Sequence, residues 1–127
     1  MGLGKSRSKL TKPMEIKTEE YSVRYDETSN TVYWAGIMRL TSGQEYQPIL
    51  QLVDEIAELG VDKLTLDFQK LTSINSYGIS MLVRFIFAVD SKKTIKLLLL
   101  GAKEISWQEK WANNFQRLMP TMQIQWN

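Results

Sequence analysis

The chain contains no cysteine and no histidine. Without cysteine there is no disulfide, which fits a reducing compartment and points to the cytoplasm. Together the two absences remove the usual ligands of zinc, copper and iron, so no metal or other cofactor is expected. They also remove the ordinary general base and two common nucleophile arrangements. Serine–lysine or carboxylate chemistry stays open, but the chemical inventory is thin, and we expect a protein that is not an enzyme. Long apolar runs are missing too. The longest stretch, Ile79 to Val89, is interrupted by Arg84 and falls short of the roughly 20 residues that span a bilayer. The start of the chain has no apolar stretch of the kind a secretory signal carries.

What is present is ordinary for one globular domain: 127 residues, 43% hydrophobic and 24% charged. The net charge of +2 is unevenly divided. Lys5, Arg7, Lys9 and Lys12 stand in residues 1–14 with no acid, leaving 12 basic against 14 acidic residues beyond them. The basic character belongs to the first segment, and a mildly acidic body gives no electrostatic footprint for nucleic acid. Residues 1–18 read as a flexible basic arm, and 19–127 as the folded domain. Two motif echoes in the arm carry no function. Gly4-Lys5-Ser6 lacks the glycine that a phosphate loop needs five residues earlier, and Met1-Gly2 with Ser6 matches only the loose myristoylation pattern.

From Tyr21 the pattern becomes strand-like. Tyr21, Val23 and Tyr25 alternate with polar residues, Glu27 to Asn30 is a turn cluster, and Thr31 to Leu40 returns as the second arm of a hairpin. Gln47 to Leu59 reads as an amphipathic helix with Pro48 in its first turn and Gly60 at its end. Lys63 to Phe68 is a strand and Gln69 to Asn75 a loop. A helix starts at Ser76, with Ile79, Leu82, Val83 and Ile86 on its buried face and Met81, Phe85 and Ala88 turned outward around Arg84. Thr94 to Leu100 is a strand whose continuous Leu97 to Leu100 suits a sheet interior. Ser106 and Glu109 have the spacing of a capping box. Trp107, Trp111, Phe115 and Leu118 then form one stripe of a third helix, and Met122, Ile124 and Trp126 alternate in a last strand. The order is β-β-α-β-α-β-α-β. Such crossovers imply an α/β domain with a mixed, mostly parallel sheet.

This order, with the segment Leu64-Thr65-Leu66-Asp67-Phe68, Leu71-Thr72-Ser73-Ile74 and Asn75-Ser76-Tyr77-Gly78-Ile79, resembles the STAS domain family of anti-sigma-factor antagonists. The family's signature is a strand, a short loop and an Asp-Ser-(Ser/Thr)-Gly turn opening an apolar helix. The resemblance implies a single STAS-like domain and a phosphorylation site at Ser76 within the motif Asn75, Tyr77 and Gly78. It departs from the pattern at Asn75, which stands where the family has Asp, and at Tyr77, which replaces a small residue. A helix start tolerates the negative charge that a phosphate adds. A plain capping role for Ser76 is the structural alternative, and Gly78 leaves backbone room for a close approach.

The function implied is a bacterial signalling adaptor. It captures a protein partner, a serine kinase or anti-sigma factor or a related regulator, and phosphorylation of Ser76 releases that partner. Ser73, Met81, Arg84 and Phe85 are the candidate partner-binding residues, since aromatic and arginine side chains on an exposed helix face are typical anchors. A second reading keeps the fold without the switch, as a constitutive scaffold subunit of a larger sensory or transport assembly. A third is a small nucleotide-binding protein or enzyme with Asp67 at a strand end, although no phosphate-cradling glycine loop supports it.

Overall fold

The computed structural model describes residues 14–127. The arm expected over 1–18 therefore lies mostly outside the described residues. Its last part does not behave as an arm, because Glu15–Lys17 forms strand β1. Three residues with a single apolar side chain, Ile16, are too short a pattern to read. Their register against β2 (Tyr21–Asp26), with Ile16 beside Val23, makes the strand. β2 and β3 (Thr31–Met38) form the expected hairpin. Its turn is tied by Asp26, whose carboxylate accepts from the Thr28 N–H and the Ser29 hydroxyl, both at 3.0 Å.

A 3-10 turn, Gln44–Tyr46, leads into α1 (Gln47–Ala57), with Pro48 in its first turn. Ile49, Val53 and Ile56 are buried as their spacing requires. Leu59 lies past the helix end and is exposed. Gly60 follows at φ 84°. β4 runs from Lys63 to Ile74, much longer than the Lys63–Phe68 strand expected, so Gln69–Ile74 is strand and not loop. Two register shifts against β3 disturb the period of two there. Gln69, Lys70, Thr72 and Ser73 are also polar, so this half of the strand resembles a loop in sequence.

α2 (Ser76–Lys92), β5 (Lys96–Gly101), α3 (Ser106–Leu118) and β6 (Gln123–Trp126) complete the chain. The six strands lie in the order β1 to β6, antiparallel up to β3 and parallel from β3 onward. The result is a single STAS-like α/β domain with a mixed, mostly parallel sheet. α1 packs on α2 and α2 on α3, and all three share one core with the sheet. Trp34 and Phe68 meet edge to face at 5.4 Å within it.

Among the described residues the other sheet face carries no helix. Leu97 and Leu99 are therefore buried while Leu98 and Leu100 are only half-buried, so the leucine run does not mark a strand covered on both sides. α3 also lacks the expected capping box. Ile105 is its N-cap residue, without a side-chain cap. Gln108 instead turns inward, where its amide donates to the Phe68 carbonyl at 2.6 Å and its oxygen accepts from the Ala102 N–H at 2.8 Å. Among the described residues no helix is long and apolar enough to cross a membrane.

Candidate functional site

β4 ends at Ile74 and α2 starts at Ser76, so Asn75 alone makes the corner. Its backbone is extended (φ −90°, ψ 178°), the conformation of an N-cap residue. Its side-chain oxygen accepts from the Gly78 N–H at 3.0 Å and from the Tyr46 hydroxyl at 2.8 Å. Its side-chain nitrogen donates to the Leu40 carbonyl at 2.7 Å, and its backbone N–H donates to the Met38 carbonyl at 3.0 Å. One residue thus joins the end of β3, the turn before α1 and the start of α2. The network needs a donor and an acceptor on the same side chain, which an amide has and a carboxylate lacks. Burial of Tyr46 is the main influence on its phenol and raises its pKa.

Capping therefore falls to Asn75, and Ser76 is the first helical residue. Ser76 is exposed, and its hydroxyl makes no hydrogen bond among the described residues. It is a primary alcohol facing solvent at the positive end of a seventeen-residue helix. Tyr77 beside it is 48% exposed. Ser73 is exposed on β4, in register with Ile37 of β3, which is exposed as well.

Gly78 corrects an expectation. Its missing side chain does not leave room for a partner, because a Cβ there would stand 2.5 Å from Cγ1 of Ile74 and 2.9 Å from the Tyr46 hydroxyl. The glycine is buried, and the chain itself occupies its close approach.

The outward pair expected on α2 is also corrected. Phe85 is fully buried and Met81 is 4% exposed, both within the core. α2 is apolar over more than one stripe because α1 and α3 flank it on either side of its sheet-facing side. Arg84 is exposed, as expected, and close enough to Asp54 of α1 to work against the burial that raises the Asp54 carboxyl. At about 100° per residue, Arg84 stands almost in line with Tyr77 two turns earlier.

Phe87, which the sequence reading did not single out, is 60% exposed and leans toward the Ser76 side of the helix. Only the packing of α1 and α3 against α2 selects it over Phe85. A small cavity of about 60 Å³ opens between the start of α1 and the first turns of α2, lined among others by Tyr46, Leu50, Tyr77, Met81 and Arg84. Asp67 is brought to none of this. It lies within β4 rather than at its end, and its carboxylate accepts from the backbone and side-chain N–H groups of Gln69.

No protein-family model matches the chain, and no curated protein does. Solved structures do. The chain superposes with a TM-score of 0.69 on a chain of the crystal structure of the diguanylate cyclase SiaD in complex with its activator SiaC from Pseudomonas aeruginosa. That match has 15% identity and covers 89% of this chain and 98% of that one. Against SiaC of Pseudomonas aeruginosa the TM-score is 0.67 at 14% identity, over 92% of this chain and 100% of the other. At such identities the likeness is one of fold, and the fold it shows is the STAS-like domain described above.

Proposed function

We propose that this chain is a signalling adaptor that acts by binding a partner protein, and that modification of Ser76 controls the binding. The observation that carries this is the division of labour at the α2 corner. Asn75 caps the helix, which leaves the Ser76 hydroxyl exposed and uncommitted beside exposed Tyr77, with exposed Arg84 and Phe87 about two and three turns further along the same helix. A phosphate on Ser76 adds about −1.5 to −2 charges to that surface at a helix end that tolerates anions. The fold changes little, and a partner seated on the surface is repelled.

Two partner classes follow from the two likenesses. The resemblance to anti-sigma-factor antagonists points to a serine kinase or anti-sigma factor. The shared fold with SiaC, described as the activator of a diguanylate cyclase, points to an enzyme of that class. In both, the chain is the binding subunit and not the catalyst.

Asn75 in place of Asp is the feature that would favour the constitutive-scaffold reading. The three hydrogen bonds of the Asn75 amide give that residue a reason inside the fold, independent of any kinase, and we keep the switch. The test is the intact mass and peptide map of the protein from its native cells, with affinity capture by wild type, Ser76→Ala and Ser76→Glu. A phosphate on Ser76, and capture weakened at least about tenfold by Ser76→Glu at unchanged melting temperature, support the switch. Equal capture by all three proteins, with no phosphate across growth and stress conditions, overturns it.

A further inference from the structure

Among the described residues the two edges of the sheet, β1 and β6, differ in chemistry. β1 is short and carries Glu15 and Lys17, the charged guards that natural edge strands use against pairing. β6 has the sequence Gln-Ile-Gln-Trp, without charge or proline, and pairs with β5 in unbroken register. It is rigidly placed: Trp126 lies over Gly101, where a Cβ would come within 2.6 Å of the indole.

The outer groups of β6 can be assigned by alternation. Asn127 directs both backbone groups at β5 and the loop after it, its N–H donating to Gly101 at 2.9 Å and its carbonyl accepting from Lys103 at 3.4 Å. Gln123 and Gln125 share that parity, so the N–H and C=O groups of Ile124 and Trp126 face outward. At Met122 the open ladder stops. Its N–H donates to the Met119 carbonyl and its own carbonyl accepts from the Gln116 amide, both at 2.9 Å.

We propose that β6 is a self-complementary docking edge whose occupant is β6 of a second copy of this chain. Antiparallel pairing about a two-fold axis at Gln125 places Ile124 opposite Trp126 of the second copy, and Trp126 opposite Ile124. These are the residues whose backbone groups face outward, so both pairs exchange two hydrogen bonds. Gln125 meets Gln125 at the axis as a non-hydrogen-bonded pair, and Gln123 faces Asn127 across the open side of the sheet. Every opposed pair then matches in kind, Ile with Trp on the helix side and amide with amide on the other. No other axis position on this strand satisfies both the outward backbone groups and the face parity with as many pairs.

The dimer continues the sheet with both helical layers on one side, and because the two copies run antiparallel their Ser76 corners, past the C-terminal end of β4, lie toward opposite ends. A four-residue strand spans roughly 13 Å, far less than an interface of about 800 Å² per partner requires. The association is therefore weak and concentration-dependent.

Sedimentation of the full chain from about 5 to about 500 µM tests this, together with single-cysteine variants, which are simple to read because the chain has no cysteine of its own. Gln125 and Gln123 are both exposed on the open side, so replacing them leaves the core intact. Gln125→Cys should crosslink on mild oxidation, since a non-hydrogen-bonded pair sets the Cα atoms about 4.5 Å apart. Gln123→Cys should not, its two copies being about 13 Å apart. Gln125→Lys should weaken association at least tenfold without changing the melting temperature, and mixing it with Gln125→Glu should restore association.

A chain that stays monomeric throughout overturns the proposal. If the Ile124 and Trp126 amides of that monomer resist hydrogen exchange, the edge belongs to residues 1–13 of the same chain; if they exchange freely, it is open to a strand from another protein. Equal crosslinking of the two cysteine variants, or a dimer indifferent to Gln125→Lys, also overturns it.

Discussion

Replacing Asn75 by Asp restores the residue found in the STAS motif, and the structure expects it to destabilise this chain. The carboxylate keeps the two acceptor roles, toward the Gly78 N–H and the Tyr46 hydroxyl, and gains from the positive end of α2. It loses the donor that serves the Leu40 carbonyl at 2.7 Å and sets an anionic oxygen against that carbonyl. The lost bond costs about 1 kcal/mol, and an acceptor left facing another acceptor about 1 to 3 kcal/mol more. The helix dipole returns about 0.3 to 1 kcal/mol. The net loss is about 2 kcal/mol at neutral pH, or roughly 5 to 10 °C in melting temperature for a chain of this size.

The pH dependence has a definite sign. Contact with the Leu40 carbonyl favours the protonated acid, so its folded pKa lies above the unfolded value of about 3.9. The loss is complete above the folded value and shrinks as pH falls toward the unfolded one, where the acid can donate to Leu40 again. Urea unfolding of wild type and Asn75→Asp at pH 7.5 and near pH 4.5 measures both effects. A variant as stable as wild type at pH 7.5, or a deficit that grows on acidification, refutes this account of the corner.

Phe85→Ala removes a fully buried ring from the core and should cost about 3 to 5 kcal/mol, whereas Phe87→Ala, at 60% exposure, should stay within about 0.5 kcal/mol. Thermal melts of the two variants decide the matter, and equal losses would contradict the assignment of the α2 faces. Gln108→Leu leaves the Phe68 carbonyl and the Ala102 N–H without their partner and should cost about 2 to 4 kcal/mol by urea midpoint. A change below about 0.5 kcal/mol would show that water replaces the amide. Tyr21, Tyr25 and Tyr46 all have pKa values raised above 10.0, burial being the first cause in each. Their contribution to stability is present below about pH 10 and is lost as pH rises above it, so the ultraviolet phenolate titration of the folded chain should lag behind that of the chain in urea. Coincident curves would contradict their burial.

Where side-chain spacing alone decides an element, the sequence was readable. The β2–β3 hairpin, the stripe Ile49, Val53, Ile56 and the alternation of Leu64, Leu66 and Phe68 carry periods of 2 or 3.6 that only one burial pattern satisfies. The misreadings have a common origin in contacts between elements, which no single element's own spacing shows. Ile16 is strand because β2 lies beside it. The end of β4 is strand despite its polar residues because β3 supplies its register with two irregularities. Leu98 and Leu100 look interior because nothing in a single strand tells whether one or both faces of the sheet are covered. At the candidate site the corner itself was legible as a helix start. That Asn75 and not Ser76 caps it was not, since the choice depends on Tyr46 and Leu40, 29 and 35 residues away.

The same contacts separate what the fold requires at this corner from what a partner can read. Asn75 and Gly78 are directed inward, one bonded to three other parts of the chain and the other pressed against Ile74 and Tyr46. Changing either acts first on stability, and any effect on binding follows from that. Ser73, Ser76, Tyr77, Arg84 and Phe87 are exposed and hold no part of the core. In the proposed adaptor, specificity for one partner over another would draw on this outer set. A bulky Tyr77, 48% exposed, in place of the small residue of the STAS motif changes the shape of the proposed docking surface without touching the frame around Ser76. Tyr77→Ser is the substitution that separates the two roles. It should leave the melting temperature within about 2 °C, as surface changes do, while weakening capture of this chain's own partner. A large loss of stability instead would place Tyr77 in the frame, and unchanged capture would remove it from the docking surface.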